Sequence, residues 1–182
     1  MKIKNYQIGI IGSAGSDDYN GATGATVSMM RIAEDIGRLL AMRGAIVVTG
    51  GKSGIMEAAA KGAQKAGGIT IGVIKGGQRF KSNTYTDIEV ISGMEIDGLD
   101  ELLLVNMCDG LIAIGGGAGT LQEIAIAYRN KKPVIALNCE VGWAKKVADC
   151  YLDDRKRIFI ESASSAEKAV SKMLTALDVL YE

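Results

Sequence analysis

Short apolar runs and helix-period stripes alternate along the whole chain. Ile8-Gly9-Ile10-Ile11 is a continuous apolar run that predicts a first strand. From about Gly24 to Met42 apolar residues return at helical spacing, with Val27, Met30, Ala33, Gly37 and Leu40 on one stripe. Gly44 stands where a helix C-cap belongs. Ile46-Val47-Val48 predicts a second strand, and Gly54 to Ala66 a small-residue helix closed by Gly67-Gly68. Ile69 to Ile74 and Ile88 to Ile91 read as two more strands. The helix predicted from about Gly98 to Cys108 carries Leu99, Leu102, Leu103, Leu104, Val105 and Met107, so it is apolar on most of its circumference. Such a helix is buried on several sides, which here predicts a partner subunit and a homodimer. A strand at Leu111 to Ile114, a helix at Ala118 to Arg129 and a strand at Val134 to Leu137 follow. The chain closes with a helix near Trp143, a strand at Arg157 to Ile160 and a helix from Ser165 to Leu180.

This βαβα alternation predicts an α/β fold: one Rossmann-like, doubly wound domain over residues 1–182, with a mainly parallel sheet flanked by helices. The strands are continuous apolar runs, as doubly covered strands are. At 182 residues the chain has the size of one domain and needs no disulfide or metal to stabilise it. The run that follows Met1-Lys2-Ile3-Lys4 reads as a strand, not a signal peptide. No apolar run is long enough to span a membrane. Lys plus Arg and Asp plus Glu number 21 each, and this balance points away from nucleic-acid and membrane partners. The three cysteines, Cys108, Cys139 and Cys150, form no CxxC pair, so neither structural zinc nor a disulfide framework is expected. A reducing cytoplasm suits them best. The absence of histidine removes Ser-His-Asp, Cys-His and most zinc-dependent catalysis, and no metal site is expected.

The 24 glycines concentrate the candidate chemistry. Three predicted strands end in glycine-rich turns: Gly12-Ser13-Ala14-Gly15-Ser16, Thr49-Gly50-Gly51-Lys52-Ser53-Gly54, and Gly115-Gly116-Gly117-Ala118-Gly119-Thr120. Ligands of open parallel sheets sit at this edge, where glycine lets backbone approach a phosphate and the next helix presents free N–H groups. The standard fingerprints fail. A P-loop needs glycine where Ile46 stands, and the dinucleotide pattern needs glycine where Thr120 stands. The turns therefore predict a phosphorylated small molecule, such as a nucleotide, held by neither of those two motifs. Thr120-Leu121-Gln122-Glu123 has two readings. Its spacing matches a capping box, which the spacing alone favours; alternatively Glu123 faces the ligand from the first helical turn.

At these residues the chain resembles the Lonely Guy (LOG) family, whose members were long mislabelled lysine decarboxylases. Gly50 to Glu57, including Met56, followed by Gly67-Gly68-Ile69-Thr70-Ile71-Gly72-Val73, is similar to the family's first glycine motif. Gly116 to Glu123 is similar to its second, and Ile11-Gly12-Ser13 to its first-strand turn. The likeness runs from about Gln7 to Leu137. It implies a Rossmann-like dimer that cleaves the N-glycosidic bond of a nucleoside 5′-monophosphate. In a nearby subgroup, molybdenum-cofactor carrier proteins, it implies a molybdopterin held without hydrolysis. By this resemblance Gly12, Ser13, Gly50, Gly51, Lys52, Ser53, Gly54, Met56, Gly115, Gly116, Gly117, Gly119 and Thr120 would bind the phosphorylated ligand, and Glu123 would be the key carboxylate.

Two departures bear on activity. Gly115 replaces the motif's proline, and Asp100 stands where active members carry an arginine that clamps substrate. Asp100 is either an ordinary first-turn acid, favoured by the helix dipole, or a second carboxylate beside Glu123 with a catalytic part of its own. A hydrolase and a carrier both remain compatible with these residues. The polar stretch Lys75 to Asp87, with Lys75, Arg79 and Lys81, is either a lid over the ligand or a solvated connection. Trp143 suits a core or interface role better than stacking on a ligand ring.

Overall fold

A computed structural model of the protein describes residues 5–15, 24–77, 79–93, 95–96, 98–138 and 141–182. Strand β1 (Gln7–Gly12) pairs in parallel with β2 (Ile46–Thr49) on one side and β5 (Gly110–Ile114) on the other. Outward from β2 lie β3 (Thr70–Ile74) and β4 (Ile88–Ile91); outward from β5 lie β6 (Val134–Leu137) and β7 (Glu161–Ala163). All seven described strands run parallel, in the order β4-β3-β2-β1-β5-β6-β7. The chain fills one half of the sheet and then crosses β1 to build the other. The carboxyl ends of β1 and β5 therefore form the switch point at which ligands of such sheets sit.

The alternation of side chains across the sheet divides the core into two layers. Ile8 and Ile10 of β1, Ile112 and Ile114 of β5, and Ile135 and Leu137 of β6 face one cluster. There they meet α1 (Val27–Met42), α2 (Ile55–Lys65) and α6 (Ala166–Tyr181). Ile11, Leu111, Ala113, Val134 and Ala136 face the other, with α3 (Leu99–Met107), α4 (Ala118–Arg129) and α5 (Trp143–Val147). Both faces of the sheet are covered, which accounts for the unbroken apolar strands. No helix among the described residues is long and apolar enough to cross a membrane.

Several sequence expectations change in detail. Helix α1 begins at Val27, capped by the Thr26 hydroxyl, which accepts from the Met29 N–H. Its buried stripe is Met29, Ala33, Ile36, Gly37 and Leu40; Val27 is exposed. The strand expected at Arg157–Ile160 is displaced: Ile160 makes only an antiparallel bridge with Cys150, and β7 follows it. The apolar Ile158-Phe159-Ile160 run imitates a strand, but the register with β6 selects Glu161–Ala163. In α3, Leu104 and Val105 are buried and Leu103 and Met107 pack partly into the second layer, while Leu102 stays exposed. Ser16 of the first glycine turn, Gln78 of the polar stretch and Cys139 lie outside the described residues.

Helices α1 and α2 cross with their backbones in contact. A Cβ on Gly37 would strike the carbonyl of Ala59, and one on Gly62 the carbonyl of Glu34. Neither backbone can yield without separating the helices. Gly62→Ala is therefore expected to destabilise the protein by about 1–3 kcal/mol, the usual cost of overpacking. Chemical denaturation of the variant against wild type measures this.

Candidate functional site

The three glycine turns meet at the switch point, and Ser13 joins them. Its N–H donates to the Ile114 carbonyl at the end of β5 (3.1 Å). Its hydroxyl accepts from the Gly116 N–H (2.9 Å) in the third turn. Its carbonyl accepts from the Ile55 N–H (3.0 Å), the first residue of α2 after the second turn. Ser13 is buried, so each bond is made away from bulk water. Gly54 closes the junction: a Cβ there would lie within 2.7 Å of the Ala14 carbonyl carbon, the Gly15 nitrogen and the Ser13 carbonyl oxygen. The Ser53 hydroxyl accepts from the Gly15 N–H (3.1 Å). On the far side, the N–H groups of Trp143 and Ala144 donate to the carbonyls of Gly116 and Gly115 (2.9 Å each). Trp143 thus packs against the third turn and the second core layer, with the Lys146 ammonium 4.5 Å from its ring.

Beside this junction opens a cavity of about 260 Å³. Of the residues singled out from sequence, Gly12, Gly50, Lys52, Met56, Asp100, Gly119, Thr120 and Glu123 line it. Ser13, Gly51, Ser53, Gly54, Gly115, Gly116 and Gly117 stand behind the lining, where they shape the turns that support it. Ile11, Val73 and Leu104 give it an apolar wall.

The capping box is not formed. Helix α4 begins at Ala118 with Gly117 as its N-cap, and no side chain caps it. The glycine turn lets the helix start early, so Thr120 sits inside the first turn and Glu123 one turn along, facing the cavity. The N–H groups of Ala118, Gly119 and Thr120 are ones that helix geometry leaves without an intrahelical partner. They point, with the positive end of the helix dipole, towards the same space.

Acids share the lining with the turns, and Glu101 Oε1 lies 3.5 Å from where a Cβ on Gly119 would stand. Asp100 is an acid of the first turn of α3, and it also lines the cavity together with Glu101 and Glu123. Burial above all, with the charges of Glu101 and then Asp100 and against the opposing Lys52, pushes the Glu123 pKa up to about 8. Glu123 is therefore largely protonated at neutral pH. Burial also raises Glu101, as does its hydrogen bond to the Asp100 carboxyl. Asp100 Oδ1 and Glu101 Oε2 are buried and find no partner among the described residues. Lys52 is the one cation among the lining residues. No three His, Cys, Asp or Glu side chains among the described residues are gathered to hold a metal ion.

Sequence reasoning missed Glu101, Asn83 and Glu89. Asn83 clasps the second turn, its backbone N–H donating to the Gly51 carbonyl (2.7 Å) and its side-chain amide to that of Lys52 (3.1 Å). Glu89 accepts from the Ser82 hydroxyl (2.7 Å) and the N–H groups of Phe80 (2.6 Å) and Ser82 (2.9 Å). Those bonds, led by the Ser82 hydroxyl, pull its pKa down to about 2. The polar stretch is thus tied to the turn that carries Lys52. Lys75, Arg79 and Lys81 do not line the cavity. A polar Asn in a connection gives no signal of its long-range partners; Glu101 was masked by its ordinary place in a first helical turn.

Comparison with known proteins agrees with this architecture. Residues 5–171 match the model of the SLOG cluster4 family, and the chain belongs to that family. It is 35% identical over 135 residues to an uncharacterised protein of Archaeoglobus fulgidus, covering 74% of this chain and 82% of that one. It is 27% identical to a rice (Oryza sativa subsp. japonica) protein named as a probable cytokinin riboside 5′-monophosphate phosphoribohydrolase, covering 84% of this chain and 73% of the other. Among solved structures, the molybdenum cofactor binding protein of Rippkaea orientalis superposes with a TM-score of 0.81 at 29% identity. The molybdenum cofactor carrier protein of Chlamydomonas reinhardtii superposes with a TM-score of 0.75 at 27% identity. Each pairing covers 97% of this chain and 99% of the other.

The protonated Glu123 makes stability depend on pH. Its pKa is about 8 folded against an ordinary 4.5, so the native state binds the extra proton between these values. The stability this proton confers is complete below about pH 4.5 and is lost as pH rises through about 8. Glu123→Gln mimics the protonated form at every pH. It is expected to melt with wild type near pH 5 and a few degrees above it at pH 8–9, since about 1 kcal/mol moves Tm by roughly 2–4 °C at this size. Paired thermal melts across pH 5–9 check the sign.

Proposed function

We propose that the protein binds a phosphorylated heterocycle, of nucleotide or pterin type, at the β1/β5 switch point and holds it without cleaving it. The observation that carries this reading is the division of one cavity by chemistry. Glycine turns, the first-turn N–H groups of α4 and the Lys52 ammonium suit a phosphate. The apolar residues and the carboxyls of the same lining suit a ring. A molybdopterin-type cofactor fits the same donor set: Gly119, Thr120 and Lys52 would take its phosphate, and the unpartnered oxygens of Asp100 and Glu101 would meet its polar ring. Bound there, such a group would supply a metal-chelating dithiolene, and the protein would contribute holding and shielding. The likeness to the two molybdenum-cofactor proteins supports this choice.

Electrostatics argues against glycosidic cleavage. That reaction builds positive charge on the ribose ring and needs an ionised carboxylate close by. Glu123 holds its proton at neutral pH because it is buried beside two other acids. The resemblance puts an arginine where Asp100 stands; a cation there would favour the ionised form, whereas Asp100 opposes it. The rice relative keeps the hydrolase reading as the alternative.

Native mass spectrometry of gently purified protein, paired with a base-release assay on nucleoside 5′-monophosphates, separates the two. We expect a retained phosphorylated ligand and no free base. Base release by wild type that disappears in Glu123→Ala would overturn the binding reading in favour of a phosphoribohydrolase.

A further inference from the structure

A second surface lies at the end of α4 that is remote from the cavity. Residues 150–160 form a loop closed by the antiparallel bridge between Cys150 and Ile160. Leu152 and Ile158 pack partly into the second core layer. The buried Tyr128 of α4 fixes the loop from beneath: its hydroxyl donates to the Asp153 carboxylate (2.9 Å) and accepts from the Arg157 N–H (3.1 Å). The Arg157 guanidinium donates to the Arg129 carbonyl (3.3 Å), so the loop lies against the last turn of α4. Gly119, which lines the cavity, stands roughly 15 Å away along that helix.

The rest of the loop faces solvent. Tyr151 and Phe159 are 42% and 45% exposed, with their rings edge to face and 5.2 Å apart. Aromatic rings held outward on a pinned frame add little to the core and offer flat surface to a partner. Around them Arg129, Lys131, Arg155, Lys156 and Arg157 are all exposed, and none of the five makes an ion pair among the described residues. Asp153 accepts from the Tyr128 hydroxyl and the Arg155 N–H, and Asp154 is the loop's other carboxylate. The balanced charge of the whole chain thus conceals a local positive excess.

The backbone points the same way. Lys131 and Lys156 are left-handed, with φ of 57° and 46°. The N–H groups of Lys131 and Lys132 donate to the carbonyls of Tyr128 and Ala127 (3.2 and 3.0 Å), a helix ending that favours glycine at the first of the two positions. Helices α1 and α2 end in the same pattern and use Gly44 and Gly67 there. Helix α4 keeps a lysine. The helix dipole favours a cation near this end, but Arg129 already supplies one.

Cations beside flat rings match what a single nucleic-acid strand presents at every nucleotide, a phosphate and an unpaired base. Three of the five cations are arginines, whose planar fork pairs with phosphate through two bonds. An acidic protein segment would engage the cations and give the rings nothing flat to stack on. A second copy meeting this corner about a two-fold axis would set cation against cation. We infer that this corner binds single-stranded nucleic acid, with Tyr151 and Phe159 stacking on bases and the five cations following the phosphates. The inference is independent of the ligand proposed for the cavity.

Fluorescence anisotropy of the full chain with a labelled oligo-dT strand of about twelve nucleotides, lacking a terminal phosphate, tests it. Saturable binding is expected, with log affinity falling against log salt at a slope of about −2 to −3.5, since each phosphate contact of a single strand contributes about −0.7. Phe159→Ala should weaken binding at least about fivefold, as loss of one stacked base implies. Lys131→Gly combined with Lys156→Gly removes two charges where glycine suits the backbone. That variant should melt no lower than wild type while its salt slope shrinks by about 1.4. No saturable binding at low salt, or wild-type binding in both variants, would overturn the inference. Binding lost in Lys52→Ala but intact in the loop variants would place the strand at the cavity and overturn it as well. Full displacement by polyglutamate of the same charge and concentration would overturn it in favour of an acidic protein partner.

Discussion

The site depends on a single buried serine. Ser13 holds the end of β5 through its N–H, the third glycine turn through its hydroxyl and the start of α2 through its carbonyl. Three segments far apart in sequence are thereby fixed at one point of the sheet edge. The glycines follow from this constraint: backbones converging at this junction leave no room for side chains, as the contacts around Gly12 and Gly54 show. Much of the glycine content that first suggested ligand contact is used to bring the turns together, and only Gly12, Gly50 and Gly119 among the candidate glycines reach the cavity wall. Shape comes from the junction; chemistry comes from the residues just beyond it.

Those residues form an electrostatic arrangement that would be unfavourable without protonation. Three acids share a small cavity with one lysine. Desolvation and mutual repulsion act in the same direction, so the cluster holds a proton that isolated carboxylates would release. The resulting mixture of protonated and ionised carboxyls offers both donor and acceptor positions at neutral pH. The proposed phosphate-bearing ligand would be tolerated beside acids, because Glu123 carries little charge at neutral pH. The fold is shared with the molybdenum cofactor carrier protein of Chlamydomonas reinhardtii, and a shared fold does not by itself set the chemistry at Asp100 and Glu123.

Most of the fold was legible in the sequence. Helix Ala118–Arg129 and strand Val134–Leu137 coincide with the periodicity residue for residue, because burial on both faces leaves a clean apolar signal. The misplaced strand at Arg157–Ile160 shows the limit: a short apolar run was present, but the pairing that makes a strand lies in the register with β6. The capping box at Thr120 failed for a similar reason, since a glycine turn with unusual backbone starts α4 three residues earlier. In the site, the glycine turns, Lys52, Asp100 and Glu123 could be named from motifs. Glu101, Asn83 and the bridging role of Ser13 could not, because each acts through a partner remote in sequence. Asp100 beside Glu123 was one of two readings of the sequence, and only the packing of α3 against α4 brings both to one cavity.

The central claim is that phosphate is held at the Gly50 turn and the first turn of α4, in the cavity that the carboxyls also line. Amide NMR of the labelled protein titrated with GMP measures this most directly. The account expects saturable shifts concentrated at Gly50, Lys52, Gly119 and Thr120. No saturable shift at millimolar GMP, or shifts centred on a different face of the sheet, would contradict it.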